Sequence, residues 1–265
     1  MTGTVVVKWG GAALDGGQVD DLADDVAHLH ARGVEVVVVH GGGPEVSRAM
    51  RALGTEPVFV DGHRVTDAAA VEVVRMVLVG KVNQSLVGAL NRRGRLAVGL
   101  SGQDGLLVQA RPRVDPAGRD LGFVGDVDTV DPTALRAVTG AGMVPVVAPV
   151  AAGPGGGPWN VNADSVAAAV AVEVGAAALV LMTDVPGLLD DPADPSTVVG
   201  RVTAADLEAR LAAGRLAGGM VPKVRAAVTA VRGGVGVARI VDGRPPHALL
   251  DAVAGTSGTT VEPGP

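Results

Sequence analysis

The sequence predicts an α/β fold in which a mostly parallel sheet is covered by helices on both faces. Three observations carry this expectation. Short Val/Leu-rich runs alternate along the chain with longer segments of helical period. Those apolar runs do not alternate with polar residues, so both faces of each strand are buried, as under two helical layers. Glycine-rich turns follow several strands, where a parallel strand feeds the next helix.

Each element has its own signal. "TVVVKW" reads as a buried strand that ends in a Gly-Gly turn. Residues 18–32 place Val19, Leu22, Val26 and Leu29 near helical spacing with acids opposite, and Gly33 ends that helix. "VEVVVVH" is the next strand, and "GGGPEVSRAMRALG" a glycine turn into a helix with Pro44 in its first turn. A third helix fits "DAAAVEVVRMVLVGKVNQSLVGALNRRG". The strand "LAVGLS" and a hairpin turning at residues 115–118 follow. "GMVPVVAPV" is a strand, "AAGPGGGP" a flexible loop, and "NADSVAAAVAVEVG" a helix opening near Asn162 or Asp164. "AALVLMTDV" is a strand, and "TAADLEARLAAG" a helix with Thr203 as N-cap. "VPKVRAAVTAVRGG" and "VARIVDG" complete the pattern, and "GTSGTTVEPGP" is expected to hold a short strand and a frayed end.

Composition narrows the function. With 265 residues and 48% hydrophobic content the chain can bury a substantial core. A net charge of −6 argues against a general nucleic-acid or membrane-surface role, since both prefer a basic footprint. Without cysteine there is no disulfide, thiolate metal site or thiol nucleophile, which suits a cytoplasmic location. The start of the chain has no signal-peptide pattern, and Glu173 and Gly175 interrupt the longest apolar stretch, so no membrane span is expected there.

Three glycine turns, at Gly10-Gly11, Gly41-Gly42-Gly43 and Gly99 to Gly105, could bring backbone N–H groups close to phosphate or carboxylate oxygens. Each could equally be only a tight turn. No P-loop or good GxGxxG sequence is present. Of 22 basic residues only Lys8, Lys81 and Lys223 are lysine, which suggests sites where a compact ammonium is needed in place of a planar fork. Lys8 ends a strand beside glycines, Lys223 also follows two glycines closely, and Lys81 reads as a surface residue in mid-helix. Arg64 in "DGHRVTD" is either a surface ion pair with Asp61 or Asp67, or a bidentate clamp on a substrate carboxylate. Asn160, Asn162 and Asp164 alternate along an extended piece that enters a helix, where capping is the plainer role. The five histidines show no metal-ligand spacing.

Eight segments in order, "VVVKWGGAAL", "VVVVHGGGPEVSRAMRALG", "FVDGHRVTDAAAVEVVRMVLVGKVNQSLV", "GLSGQDG", "LGFVGDV", "WNVNADSVAAAVA", "LMTDVPGLL" and "GGMVPKV", resemble the amino-acid kinase family, nearest its N-acetylglutamate kinase branch. The resemblance runs from about Val5 to Thr259. It implies a three-layer αβα sandwich around an open, mainly parallel sheet, in a single domain over 1–265. Residues 1–175 would form the lobe for the acyl amino acid and for dimerisation, and 176–265 the nucleotide lobe. The implied reaction is ATP-dependent phosphorylation of the γ-carboxylate of N-acetyl-L-glutamate, in arginine biosynthesis by the acetylated route.

By matching motif positions, the resemblance assigns Lys8 and Lys223 to the transferring phosphoryl group and Asp164 to orienting both lysines. Gly42, Gly43, Arg64 and Asn160 would hold the acyl amino acid. Gly10, Gly11, Asp184, Val185, Pro186, Gly187, Leu188, Leu189, Arg215, Leu216 and Ala217 would hold the nucleotide. ATP and Mg²⁺ are the implied partners, the ion carried largely by phosphates and water. Trp9 departs from the family's usual aliphatic residue or tyrosine. No helix like that of arginine-inhibited hexameric members precedes Lys8, and "LLDAVAGTSGTTV" lacks their acidic, Phe-containing segment, so a homodimer without arginine feedback is expected. The rival readings are a kinase for a related acylated or carrier-tethered amino dicarboxylate of aminoadipate type, and a non-catalytic sensor of nucleotide or amino acid.

Overall fold

The computed structural model describes residues 3–10, 17–216 and 218–264. Gly11 and Ala217, both expected at the nucleotide, lie outside the described residues.

The chain opens with β1 (Thr4–Trp9), α1 (Gly17–Ala31), β2 (Glu35–His40) and α2 (Gly43–Ala52). A two-stranded hairpin, β3 (Phe59–Val60) and β4 (His63–Arg64), leads into a continuous helix over Ala68–Asn91. That helix is α3 (Ala68–Arg75), a π-helical stretch (Met76–Asn83) and α4 (Gln84–Asn91). Asp67 caps it by accepting the Ala70 N–H. It is long and apolar enough to cross a membrane by length and composition, but Val74, Val82 and Leu86 are buried here in the protein core.

Next come β5 (Ala97–Gly102), β6 (Val108–Pro112), β7 (Val124–Val130), α5 (Thr133–Gly140) and β8 (Val144–Ala152). The expected flexible loop after β8 is instead a short turn at Pro154–Gly156 inside a hairpin, because β9 (Pro158–Val161) returns antiparallel to β8. The last third holds α6 (Ala163–Glu173), β10 (Ala178–Thr183), β11 (Arg201–Thr203) and α7 (Ala204–Ala212). Then follow α8 (Met220–Arg232), β12 (Val237–Asp242), α9 (Ala248–Ala254) and β13 (Thr259–Glu262). Thr203 caps α7 as expected, accepting from the Asp206 N–H.

Among the described residues eleven strands form one sheet, ordered β11-β13-β12-β10-β1-β2-β8-β6-β7-β9, with β5 also paired to β8. The central pairings, β10 and β2 with β1, β12 with β10, β8 with β2 and β5 with β8, are all parallel. Antiparallel pairs stand toward the margins: β12 with β13, β6 with β7, and β8 with β9. Strand order reverses at β1, whose next neighbour in sequence lies on one side and β10 on the other. Ligands of open α/β sheets bind at the carboxyl ends of such a switch point.

Strand alternation then decides what β1 presents to each face. Val5, Val7 and Trp9 join the core beneath α1, α2 and α4, whereas Val6 joins the core beneath α6 and α8. Lys8 shares the second face by register. Trp9, at 1% exposure, is packed among Leu22, Ala23, Leu86 and Leu90, and its indole N–H has no hydrogen-bond partner among the described residues. Its role is to fill the layer opposite the lysine.

Candidate active site

Lys8 and Asp164 are both buried, at 6% and 4% exposure. The Lys8 Nζ lies 3.0 Å from Asp164 Oδ1, and the Lys223 Nζ lies 3.3 Å from Asp164 Oδ2. Three elements deliver this arrangement. β1 ends at the sheet's carboxyl edge, α8 presents Lys223 in its first turn, and α6 presents Asp164 in its own first turn. There the Asn162 side chain caps the helix by accepting the Ser165 N–H, and a helix N-terminus favours a carboxylate. Both carboxylate oxygens of Asp164 are thus engaged, each by one ammonium group.

The electrostatics follow from burial. Desolvation pushes the Lys8 ammonium below its ordinary value, Asp164 opposes that shift, and Lys223 adds to it. Burial alone would raise the Asp164 carboxyl, but the charges of Lys8 and Lys223 together outweigh it and hold it below the usual range. Asp164 therefore stays an anion between two cations, and the cluster has a net positive charge facing whatever binds beside it.

Two clefts meet at Lys8. One, of about 440 Å³, is lined by Lys8, Gly10, Asp184, Val185, Gly187, Leu188, Leu189, Arg215, Leu216 and Lys223, all residues that the resemblance had singled out. Thr183, Pro192, Gly219 and Met220 line it too, and were not expected there. Thr183 and Met220 adjoin segments already singled out, so neighbourhood was the only signal. Pro186 is not part of this lining, and the buried Leu188 N–H is taken by the Thr259 hydroxyl at 2.8 Å. Apolar walls from Leu189, Leu216 and Met220 with two ammonium groups at one end suit a flat base joined to phosphates.

The other cleft, of about 210 Å³, is lined by Lys8, Gly42, Gly43, Arg64, Asn160 and Asp164, with Gly41, Phe59, His63 and Asn162. The Arg64 Nη2 donates to the Gly43 carbonyl at 2.9 Å and the Ser47 hydroxyl at 2.8 Å, and the guanidinium lies 4.7 Å from the Phe59 ring centroid. The surface ion pair considered for it does not form. Asp61 pairs with Arg119 instead, and Asp67 caps a helix. Arg64, at 7% exposure, pairs with no carboxylate among the described residues. Burial first, then the nearby Arg51 charge, lowers its pKa. The Asn160 amide donates to Thr66 Oγ1 at 3.2 Å, which fixes it on the cleft wall.

Glycine is required where the clefts join. A Cβ on Gly10 would sit 2.9 Å from Lys8 Nζ, and Gly42 has φ +146° with its missing Cβ 2.6 Å from Leu78 Cδ2. The third glycine turn has another purpose: Gly99 to Gly105 lines neither cleft, and a Cβ on Gly99 would fall 2.1 Å from Asn83 Oδ1. Lys81 is an exposed residue of the π-helical stretch, as its sequence context suggested. Among the described residues no group of three or more His, Asp or Glu could hold a metal ion. Asp164, the carboxylate at the junction, is engaged by both lysines and leaves no free carboxylate ligand for a metal ion there among the described residues.

Residues 3–242 match the amino acid kinase family. An acetylglutamate kinase of Symbiobacterium thermophilum is 51% identical over 253 residues, covering 93% of this chain and 86% of that one. The chloroplastic acetylglutamate kinase of Arabidopsis thaliana is 43% identical, covering 96% of this chain and 73% of that one. Among solved structures, N-acetylglutamate synthase from Neisseria gonorrhoeae, complexed with coenzyme A and N-acetyl-glutamate, superposes with a TM-score of 0.84 at 28% identity. That match covers 99% of this chain, which spans only 60% of the synthase. Carbamate kinase from Giardia lamblia bound to AMP-PNP shares the fold at a TM-score of 0.74 and 17% identity, covering 99% of both chains. With these motifs, this sheet and this match along most of its length, the chain belongs to the amino acid kinase family.

Proposed function

We propose that the chain phosphorylates the γ-carboxylate of N-acetyl-L-glutamate with ATP, giving N-acetyl-L-glutamyl 5-phosphate for arginine biosynthesis. The similarity to acetylglutamate kinases over most of the chain supports this reading. The structural observation that carries it is the buried Lys8–Asp164–Lys223 cluster where two clefts meet, one of them holding a buried arginine without a carboxylate partner among the described residues.

The chemistry needs no general base, because a carboxylate is already a nucleophile at neutral pH. Its oxygen attacks the γ-phosphorus, the new O–P bond forms, and the bridging O–P bond breaks with its electron pair leaving on ADP. The obstacle is the approach of one anion to another and the charge spread over the phosphoryl oxygens. Lys8 and Lys223 supply fixed positive charge on either side of that group, and Asp164 keeps both ammonium groups in place. Arg64 and Asn160 hold the acyl amino acid in the 210 Å³ cleft, with Gly42 and Gly43 N–H groups beside it. The nucleotide occupies the other cleft. Mg²⁺, an ion that keeps much of its water, would be carried by the nucleotide's phosphates and would add neutralising charge beside Lys8 and Lys223.

On this reading residues 1–175 bind the acyl amino acid and 176–265 most of the nucleotide, with Lys8 serving both. The protein is cytoplasmic and works as a homodimer, and light scattering that finds only monomer at assay concentration overturns the dimer. The deciding assay is ADP release with hydroxylamine trapping of the acyl phosphate. Its substrates are N-acetylglutamate, glutamate, N-acetylaspartate and N-acetyl-aminoadipate. Turnover is expected on N-acetylglutamate. Equal turnover on free glutamate, or preference for the aminoadipate derivative, refutes the substrate assignment, and nucleotide binding without any turnover points to a sensor.

A further inference from the structure

His40 is the last residue of β2, wholly buried, and the reaction described above does not use it. Its Nδ1 lies 2.7 Å from the Gly41 carbonyl oxygen, and its Nε2 lies 3.2 Å from the Asn83 amide nitrogen. Asn83 ends the π-helical stretch, and the same amide nitrogen also donates to the Val146 carbonyl at 2.8 Å and, more weakly, to the Leu100 carbonyl at 3.4 Å. Only an amide N–H₂ satisfies those carbonyls, so Asn83 turns a donor toward His40. The Gly41 carbonyl can only accept, so the proton sits on Nδ1 and the Nδ1–H donates to Gly41, which leaves Nε2 as an acceptor facing the Asn83 amide nitrogen. The Asn83 N–H₂ group facing Nε2 agrees with that tautomer. Desolvation lowers the His40 pKa to about 4, which keeps the ring neutral at working pH.

The bond to Gly41 has a consequence one atom further on. In a trans peptide the carbonyl and the following N–H point in opposite directions, so fixing the Gly41 carbonyl fixes the Gly42 N–H. Gly42 lines the substrate cleft as the N-cap of α2. Its N–H donates to no acceptor among the described residues. A hydrogen bond on the carbonyl side of a peptide also polarises its N–H side.

We propose that His40 is a positioning residue: with Asn83 it holds the Gly41–Gly42 peptide so that the Gly42 N–H is aimed at the acyl amino acid. Gly99 belongs to the same device, since its missing side chain leaves room for the Asn83 amide. The inference rests on the substrate reading given above.

Two substitutions separate the bonds. His40→Asn keeps a donor at the position of Nδ1, whereas His40→Gln moves the amide out to the position of Nε2. We expect His40→Asn to keep its KM for N-acetylglutamate within about threefold of wild type. His40→Gln should raise that KM about tenfold, the scale of one neutral hydrogen bond, with the KM for ATP unchanged and cooperative melting retained. Equal effects of the two variants, or a change in the KM for ATP, overturn the proposal. Imidazole ¹⁵N NMR of the wild-type protein tests the geometry without any variant. A proton on Nδ1 near neutral pH supports the relay, and a proton on Nε2 overturns it. Because the spectrum needs no turnover, it stands apart from the assay in which failure on N-acetylglutamate would sink the substrate reading.

Discussion

Lys8 is one of three lysines in a chain that otherwise uses arginine for positive charge, and its surroundings explain the choice. A single ammonium fits between Gly10 and Asp164 Oδ1, where the planar guanidinium fork would press on backbone. Lys8→Arg should fold normally and lose roughly 10²-fold or more in kcat, equivalent to ~3 kcal/mol, the scale of one preorganised donor. Wild-type kcat with a cooperative melt contradicts the role assigned to Lys8. Its pKa gives a second expectation, with activity and stability moving in opposite directions. Catalysis needs the charged form, so kcat/KM should fall as pH rises through the folded value of the free protein, which lies below the ordinary 10.5. Between that folded value and 10.5 the unfolded chain holds the extra proton, so the Lys8 contribution to stability rises with pH over the same window. A pH–rate profile beside melts at matched pH checks both signs, and Lys8→Met should remove the stability increment.

Elements carry function here mainly by where they end. β1, α6 and α8 each stop or start at the junction of the clefts, and the strand and helix periods of the sequence foretold all three. Short pieces were less legible. The β3–β4 hairpin has two residues per strand and is held by Arg64 stacking on Phe59 as well as by its own pairing. The α9 helix depends on a partner distant in sequence: Asp25 of α1 accepts the Leu249 N–H at 3.2 Å and contacts His247 Nδ1 at 2.8 Å. His247 is thereby raised above its ordinary value, by the hydrogen bond first and the charge of Asp25 second. That contribution is fully present below the ordinary 6.5 and lost as pH rises through the raised value. Asp25→Ala removes a buried cap and should cost about 1–2 kcal/mol in chemical denaturation. It should also return the His247 titration toward normal in NMR. An unchanged titration would mean that some other group sets it.

At the scale of the whole molecule, the parallel core was legible because Val-rich strands and glycine turns repeat a local signal. The grouping of site residues was not, since Lys8, Arg64, Asp164 and Lys223 come together only through strand order and helix placement. Resemblance to a family supplied that grouping, while residue types alone left Arg64 as plausible in a surface ion pair as in a cleft. The structure adds that the two clefts are separate except at Lys8, which makes their occupancy separable by experiment. A ligand at 100 times its Kd stabilises the folded protein by about 2.7 kcal/mol. AMP-PNP and N-acetylglutamate should therefore each raise the melting temperature of the wild-type protein by several degrees. Arg64→Lys keeps the charge but loses the fork that bonds Gly43 and Ser47. It should abolish the shift from N-acetylglutamate and spare that from the nucleotide. Leu216→Asp places an anion on the wall of the larger cleft and should do the reverse. Loss of both shifts in either variant, with the unliganded melt unchanged, would show that the ligands share one cleft, and the assignment of one to each side of Lys8 would then be wrong.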